Sequence, residues 1–551
     1  MTDAVFEART QPTAVRPAQP GDPDSSSRKY RMRWWTLAVL AASLLIIIVD
    51  DTIVNVALPT LQRDLGASAV GLQWIVNSYI VVFGGLLLTM GTLGDRFGRR
   101  RFLHLGFLLF GASSLYGAFA GSTTELVVAR TAMGIGGAMI MPSTLSVIID
   151  VFPRGERVKA IAIWAGVAHL GIPLGPVLGG WLLEQYWWGS VFLVNVPIVA
   201  AVLVAGWLLV PESRHPSPPR PDVLGMLLST ASLASLLYAI IEAPESGWFS
   251  GEVVSALGLA IIAGIGFIAH ERRIPEPMLD LRLFRNARLK WGTIAITLAM
   301  FALAGVTFDL TQYLQIVKGY SPLQAGLRIL PLVVGFGLAG HIGQHLVRRT
   351  GTRSAVAGGL GAMAALLLAF GQIEPTTAYW LLGSGLFLIG IAMGTVFIPS
   401  TDAVMSAVPE VNAGLGSALN DTSRQVGAAL GIGVLGSLTN AAYAAQIKDS
   451  LTGLTPNMAA LAKRSVGAAL QVSEGLGGEA GSTLYRAAIA AFTDGFSLAM
   501  LAGAGLLSAG AVIVWRRLPL GDAAPPSYGP PADQELAIGA DGSERLVPVT
   551  D

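Results

Sequence analysis

The chain has 551 residues, of which 53% are hydrophobic and 13% charged, with a formal net charge of +1 and a mean hydropathy of +0.60. A soluble enzyme of this length carries about a quarter charged residues, so the composition reads as a polytopic membrane protein. No basic tract offers a footing for nucleic acid, the lack of cysteine excludes disulfides, Cys-ligated zinc and thiol catalysis, and six scattered histidines show no metal-ligand spacing.

The first thirty residues are polar and Pro/Ser-rich, unlike a cleavable signal peptide, and residues 1–33 read as a disordered tail. A bilayer core takes about 20 apolar residues per helix. By that measure there are fourteen spans, near 34–57, 72–93, 102–120, 125–149, 158–181, 190–210, 222–242, 252–270, 290–316, 323–346, 354–371, 378–406, 414–440 and 496–515. A second polar tail covers 517–551. Arginine and lysine gather in alternate loops: Arg96 to Arg101, then Arg154, Arg157 and Lys159, then Arg214 and Arg220, then residues 272–290, then Arg348, Arg349 and Arg353. The opposite short loops hold only Arg63 and Lys318. The positive-inside rule therefore puts both termini in the cytoplasm, which requires an even number of spans. The outer segment 441–495 reads either as amphipathic helices on the membrane surface or as a loosely ordered loop. Heavy use of Arg, Ala and Gly fits a GC-rich bacterium, with the chain a multi-pass protein of its inner membrane.

In the first span, "LLIIIVDDTIVNVALP" (44–59) sets Asp50 and Asp51 in a lipid-like run, where an unpaired charge costs about 3 kcal/mol or more. At about 100° per residue the two do not share a face. Asp50 continues a stripe with Thr36 and Ser43, as a cavity-lining face does, while Asp51 sits with Asn55, each able to satisfy the other. Asp50 is the expected site residue and Asp51 the alternative.

The loop "GTLGDRFGRR" (91–100) follows the second span. Gly91 and Gly98 let helix ends approach, Asp95 can accept from N–H groups or arginines, and Arg96 and Arg99 can pair across an interface. The positive-inside rule alone yields a similar composition. In span four, Arg130 of "ELVVARTAMGIGGAM" (125–139) lies about 8 Å from the outer end. It either faces protein, water or a carboxylate, or snorkels to the interface. In span five, "GIPLGPVLGG" (171–180) aligns Gly171, Gly175 and Gly179 as a packing stripe beside Gly180, with Pro173 and Pro176 permitting a bend. Further along, in span nine, the repeat-mate of span one, Asp309 and Gln312 one turn on are candidate proton or substrate residues, with Asp309 either facing the cavity or not; Arg328 reads as a boundary residue, and Asp402 lies near a span end. Asp421 and Arg424 in span thirteen either neutralise each other or serve transport.

The halves also repeat. "MPSTLSVIIDVFP" (141–153) recurs as "IPSTDAVMSAVP" (398–409), pairing Pro142 with Pro399 at an offset of 257 residues. Near the same offset "GIPLG" meets "GAALG" (427–431), and the basic loops pair Arg96 with Arg349 and Gly98 with Gly351. This divides the chain into two six-span bundles, 34–210 and 290–516, the second including 441–495, with a two-span linker at 211–289.

These motifs resemble the major facilitator superfamily, and within it the fourteen-span drug:proton antiporters. The loop 91–100 is similar to the family's signature loop, which latches the bundles in the outward-facing state. Arg130 matches a span-four arginine linked to proton coupling. The pattern G-x-x-x-G-P-x-x-G-G at 171–180 looks like the antiporter motif, and "WWGSVFLVNVP" (187–197) resembles the same branch, although Trp188 stands where the family usually has arginine. "VDDTIVNVALP" matches the first-span motif, with Val49 for leucine and the acidic residue at Asp50, and "ALNDTSRQVGAALG" (418–431) extends the likeness. The resemblance implies an all-α major facilitator fold of two six-helix bundles plus two linker helices. It implies a monomeric antiporter that exports cationic, amphiphilic, drug-like molecules across the bilayer by alternating access, with protons as partner, no cofactor and the proton motive force as drive. In the simplest mechanism drug and proton compete for one cavity carboxylate. A dedicated exporter of one metabolite, siderophore or lipid is the alternative in the same fold. A membrane-embedded enzyme or receptor is more remote, because no nucleophile–base set is present.

Overall fold

In hydrocarbon a backbone must satisfy its own polar groups, so each apolar run forms a helix. The computed structural model describes residues 28–213, 221–275, 277–408, 413–519, 534–538 and 544–548. Among these, thirteen helices are long and apolar enough to cross a membrane. Arg99–Ala118, which opens on three arginines, supplies the remaining expected span. The first six spans are Arg33–Leu65, Ala69–Phe97, Arg99–Ala118, Thr123–Val151, Gly155–Gln185 and Ser190–Leu209. The linker pair is Val223–Ser246 and Gly251–Glu271. Spans nine to fourteen are Ala287–Val317, Pro322–Gly340, His345–Phe370, Tyr379–Ser406, Gly416–Leu451 and Gly478–Arg517.

One hydrophobic core gathers mainly residues 37–210 and a second mainly residues 295–518. The first helix of the linker pair lies over the seam between them. Its Leu237 and Ile241 are fully buried, Leu237 meets span thirteen at Gly433, and Glu242 accepts from Trp74 Nε1 of span two at 3.2 Å.

The repeat is written in the backbone. Gly98 (φ 112°) and Gly351 (φ 82°) both take the left-handed region, where a Cβ is strained, and each breaks the chain between the second and third spans of its half. Pro142 and Pro399 both lie inside helices. The fifth span divides at Leu170 into Arg154–His169 and Gly171–Gln185. The first piece ends four residues before Pro173, the position whose carbonyl a proline ring displaces.

The segment 441–495 is helical rather than a loosely ordered loop. Span fourteen starts at Gly478, because the helix-forming stretch before the apolar run continues it outward. The connection keeps two short helices, Pro456–Arg464 and Val466–Leu476. They pack on the protein, with Ala462, Val466 and Ala469 buried in the second core, and Gln471 Nε2 donates to the Arg63 carbonyl of the first bundle at 2.9 Å. The segment is thus a folded cap. The tails read as disordered fall mostly outside the described residues, as do Arg214 and Arg220. Within the C-terminal tail, Gln534–Ile538 and Glu544–Pro548 pair as an antiparallel hairpin.

The bundles meet near the arginine-poor end. Gln315 Nε2 donates to the Val56 carbonyl at 2.9 Å, Ser437 donates to Gln73 Oε1 at 3.2 Å, and Gly180 and Gly326 lie tight against Leu323 and Pro176. In the half nearer the arginine-rich loops, a cleft of about 560 Å³ separates span five at Leu170 to Pro173 from spans ten, twelve and thirteen.

Candidate functional site

The first span carries Asp50 into the interior of its own bundle. The side chain is fully buried, and its Oδ2 accepts from Arg130 Nη1 of span four at 2.5 Å. Its Oδ1 accepts from Asn195 Nδ2 of span six at 2.7 Å. Asn195 also donates to Ser114 Oγ of span three at 3.1 Å, and Ser114 donates to the Phe192 carbonyl at 2.8 Å. Arg130, likewise fully buried, donates from Nε to the Ile75 carbonyl at 3.2 Å and lies 4.2 Å from the Tyr79 ring centroid. One carboxylate thereby ties spans one, four and six and neutralises an arginine that the bilayer does not otherwise tolerate. Snorkelling of Arg130 is ruled out by this geometry.

The polar stripe is real but faces elsewhere than expected. Thr36, Ser43 and Asp50 are all buried inside the bundle, with Thr36 Oγ1 donating to the Leu209 carbonyl of span six at 2.8 Å. Helical periodicity fixes which residues share a face, not what that face meets. Asp50 therefore does not line the cleft. Asp51 is half-buried, and Asn55 Nδ2 donates at 3.3 Å to the Asp51 backbone carbonyl rather than to its carboxylate.

Close packing holds the pair in place. A Cβ at Gly134 would lie 2.8 Å from the Tyr79 carbonyl, and one at Gly137 3.0 Å from Phe83, so span four rides directly on span two. The glycine stripe of span five meets span one around Asp50: Gly171 lies against Ile48, Gly175 against Val49 and Thr52, and Gly179 against Ile53. In the second half, Gly427 and Gly431 of span thirteen pack the same way on Thr297 and Phe301 of span nine.

The loop 91–100 is engaged with its own bundle and with the start of the linker, where the Arg99 amide donates to the Ser213 carbonyl at 3.0 Å. Asp95 pairs with Arg99 at 2.7 Å, Arg99 donates to the Ser146 carbonyl at 3.1 Å, and Arg96 is exposed. Gly91 lies against Pro142 of span four. Of the second-half candidates, Asp309 is buried and its Oδ2 accepts from Thr439 Oγ1 at 2.8 Å, while Gln312 Nε2 donates to the Phe308 carbonyl at 3.4 Å. Asp421 and Arg424 form no ion pair within 4.0 Å; Arg424 instead lines the cleft 4.9 Å from the Phe397 ring centroid. Asp402 is exposed. Arg328 sits at a helix start, 3.8 Å over the Tyr320 ring, as a boundary residue does.

Sequence reasoning missed Asn195, Ser114 and Tyr79. The signal for Asn195 was a lone amide in the apolar run "FLVNVPIV", a position that asks for a partner by the same logic as an intramembrane charge.

The family model described as Major Facilitator Superfamily matches residues 40–432. The multidrug efflux pump LfrA of Mycolicibacterium smegmatis is 36% identical over 89% of this chain and 97% of its own length. The tetracenomycin C resistance and export protein of Streptomyces glaucescens is 33% identical over 88% of this chain and 91% of its own. Among solved structures, a bacterial homologue of the human lysosomal transporter Spinster, inward-facing and unoccupied, superposes with a TM-score of 0.63 at 17% identity, over 88% of this chain and 97% of that one. With its motifs, its all-helical repeat and full-length relatives in agreement, the chain belongs to the major facilitator superfamily of membrane transporters.

Proposed function

We propose that this protein exports amphiphilic, drug-like molecules in exchange for protons by alternating access, and that Asp50 is a proton-coupling residue. The observation that carries the reading is the fully buried Asp50–Arg130 pair, fastened by Asn195, in the bundle that packs on the antiporter-like seam. Ionised, Asp50 holds spans one, four and six together; a proton on Oδ2 removes the charge that Arg130 answers and releases the guanidinium. Substrate and proton then communicate through a rearranged bundle, because the cleft and Asp50 are separate places. This replaces direct competition for one carboxylate with linkage between two sites. The cleft wall is mostly apolar, with Phe336 and Phe397 facing Leu170 and Ile172, which suits a hydrophobic body. Among the described lining residues the one charged side chain is Arg424, and Asp51 and Asp421 lie outside the lining, so a preference for cations draws on the resemblance to drug:proton antiporters and not on the cleft wall.

Arginine-rich loops set the termini in the cytoplasm of a bacterium, with the transporter acting as a monomer in the inner membrane and needing no cofactor beyond the proton motive force. That force supplies about 2.3 kcal/mol per charge per 100 mV, plus the pH term. In the opposite conformation the loop 91–100, through Asp95, Arg96 and Arg99, contacts the second bundle.

Proteoliposomes with an imposed pH gradient and a substrate panel test this on wild type and Asp50→Asn. Proton-dependent transport is expected to disappear in the variant; retained transport with normal pH dependence sinks the assignment. A second reading, export of a single natural product, draws on the relative named for tetracenomycin C. A panel in which one compound alone is carried would favour it.

A further inference from the structure

The second bundle contains a buried carboxylate that the Asp50 mechanism does not use. Asp309 is 1% exposed, and only one of its oxygens is held by the protein: Oδ2 accepts from Thr439, while Oδ1 has no hydrogen-bond partner among the described residues. It lines a small cavity of about 20 Å³ at the arginine-poor end, between the two bundles. Across that cavity stands Gln62 of span one, 3% exposed, whose amide nitrogen and oxygen both lack partners among the described residues. Just beyond Asp309 the helix widens into a π turn at Tyr313–Val317, a distortion common at functional sites.

The charges around it are few. Among the described lining residues no Lys, Arg or His is present, and the only other titratable group is Tyr443, whose hydroxyl is committed to the Ala462 and Ser465 carbonyls. From span one the nearest charges in sequence, Arg63 and Asp64, pair with each other at 3.0 Å on the surface. Spans two and fourteen contribute Gln73 and Phe492, and the outer cap contributes Ser465 and Val466. A carboxylate buried without a cation is among the costliest arrangements a protein interior can hold. Asp50 solves this with Arg130; Asp309 has no such partner.

We infer that Asp309 carries a proton in this conformation and that the cavity holds a water molecule bridging its carboxyl group to the Gln62 amide. The volume admits a water, which needs about 10–15 Å³ of such space. Protonated Oδ1 donates to the water, and the water donates onward to Gln62 Oε1 or accepts from its Nε2–H, whichever way the amide is turned. A small metal cation fits less well, since among the described lining residues no second carboxylate joins Asp309 to balance its charge. The cap closes the site, with Gly467 packed directly on Gln62, so the proton is trapped while the arginine-poor end is sealed and exchanges with that side when the bundles part. This transport role rests on the proton-driven reading above; the protonated, hydrated site does not.

Infrared spectroscopy of the full chain in lipid nanodiscs at neutral pH tests the inference. Wild type is expected to show the C=O stretch of a protonated carboxylic acid that is lost in Asp309→Asn and retained in Asp50→Asn. Gln62→Leu, which keeps Asp309, is expected to shift that band as the water bridge is lost. An identical spectrum in wild type and Asp309→Asn overturns the bound proton, and an unmoved band in Gln62→Leu overturns the bridge. Loss of the wild-type band on adding sodium at constant pH overturns both in favour of a metal cation. If proteoliposomes show no proton-dependent transport while the band behaves as expected, the functional reading fails and the site stands.

Discussion

The two bundles share a backbone and differ in how they keep a buried carboxylate. Asp50 in span one and Asp309 in span nine stand in corresponding spans, and the seams that bring spans five and thirteen against them are built from the same glycines. Yet Asp50 is answered by a guanidinium and an amide, and Asp309 by a single hydroxyl. The offset that pairs Pro142 with Pro399 carries Arg130 onto Phe387. The repeat keeps what close packing needs, namely small residues and helix breaks, while both partners of Asp50 differ in the second half, since the same offset carries Asn195 onto Thr452. One bundle holds a buried ion pair; the other holds a buried carboxyl group with no cation among the described residues that line its cavity.

The sharpest way to break that comparison is to remove the guanidinium. Arg130→Leu leaves Asp50 buried and uncompensated, and thermal unfolding in detergent is expected to report a loss of about 3–5 kcal/mol. The double variant Asp50→Asn/Arg130→Leu should recover much of that stability while remaining without proton-driven transport. A double variant as unstable as Arg130→Leu alone would mean that the pair is structural packing rather than charge compensation.

The shared seam predicts a smaller and symmetrical effect. Gly175→Ala drives a methyl into the Val49 carbonyl and the Thr52 hydroxyl, and Gly431→Ala into Phe301; each overpacked contact costs about 1–3 kcal/mol. The same melts should rank the two variants together, and a large gap between them would show that only one seam is under compression. Next come the left-handed glycines. Gly98→Ala and Gly351→Ala should each lose about 1–2 kcal/mol, since both place a Cβ in the same forbidden region. Tolerance of one but not the other would place the repeat in the sequence only.

The least effect is expected where the contrast is greatest. Asp309→Asn replaces a neutral acid by an amide of nearly the same shape, and its melting free energy should stay within about 0.5 kcal/mol of wild type. Asp50→Asn, the same change in the other bundle, strands Arg130 and should cost several times more. Equal losses would mean that Asp309 is ionised too.

Much of this was legible in the chain. Length and hydropathy gave the spans, the repeat gave their division, and the glycine spacing in "GIPLGPVLGG" gave a packing stripe that the structure finds against span one. The segment 441–495 was not legible, because an apolar helix face such as Ala462, Val466, Ala469 and Val472 reads the same whether membrane or protein covers it. Nor was the pairing of Asp50, since Arg130 and Asn195 lie 80 and 145 residues away. Sequence alone determined that Asp50 and Asp51 occupy different faces of one helix, because the helical turn is a local property of the backbone. Which of the two faces is buried inside the bundle was decided only by tertiary packing. That choice depends on where spans four and six bring their polar groups, and burying a carboxylate is tolerable only where those groups converge.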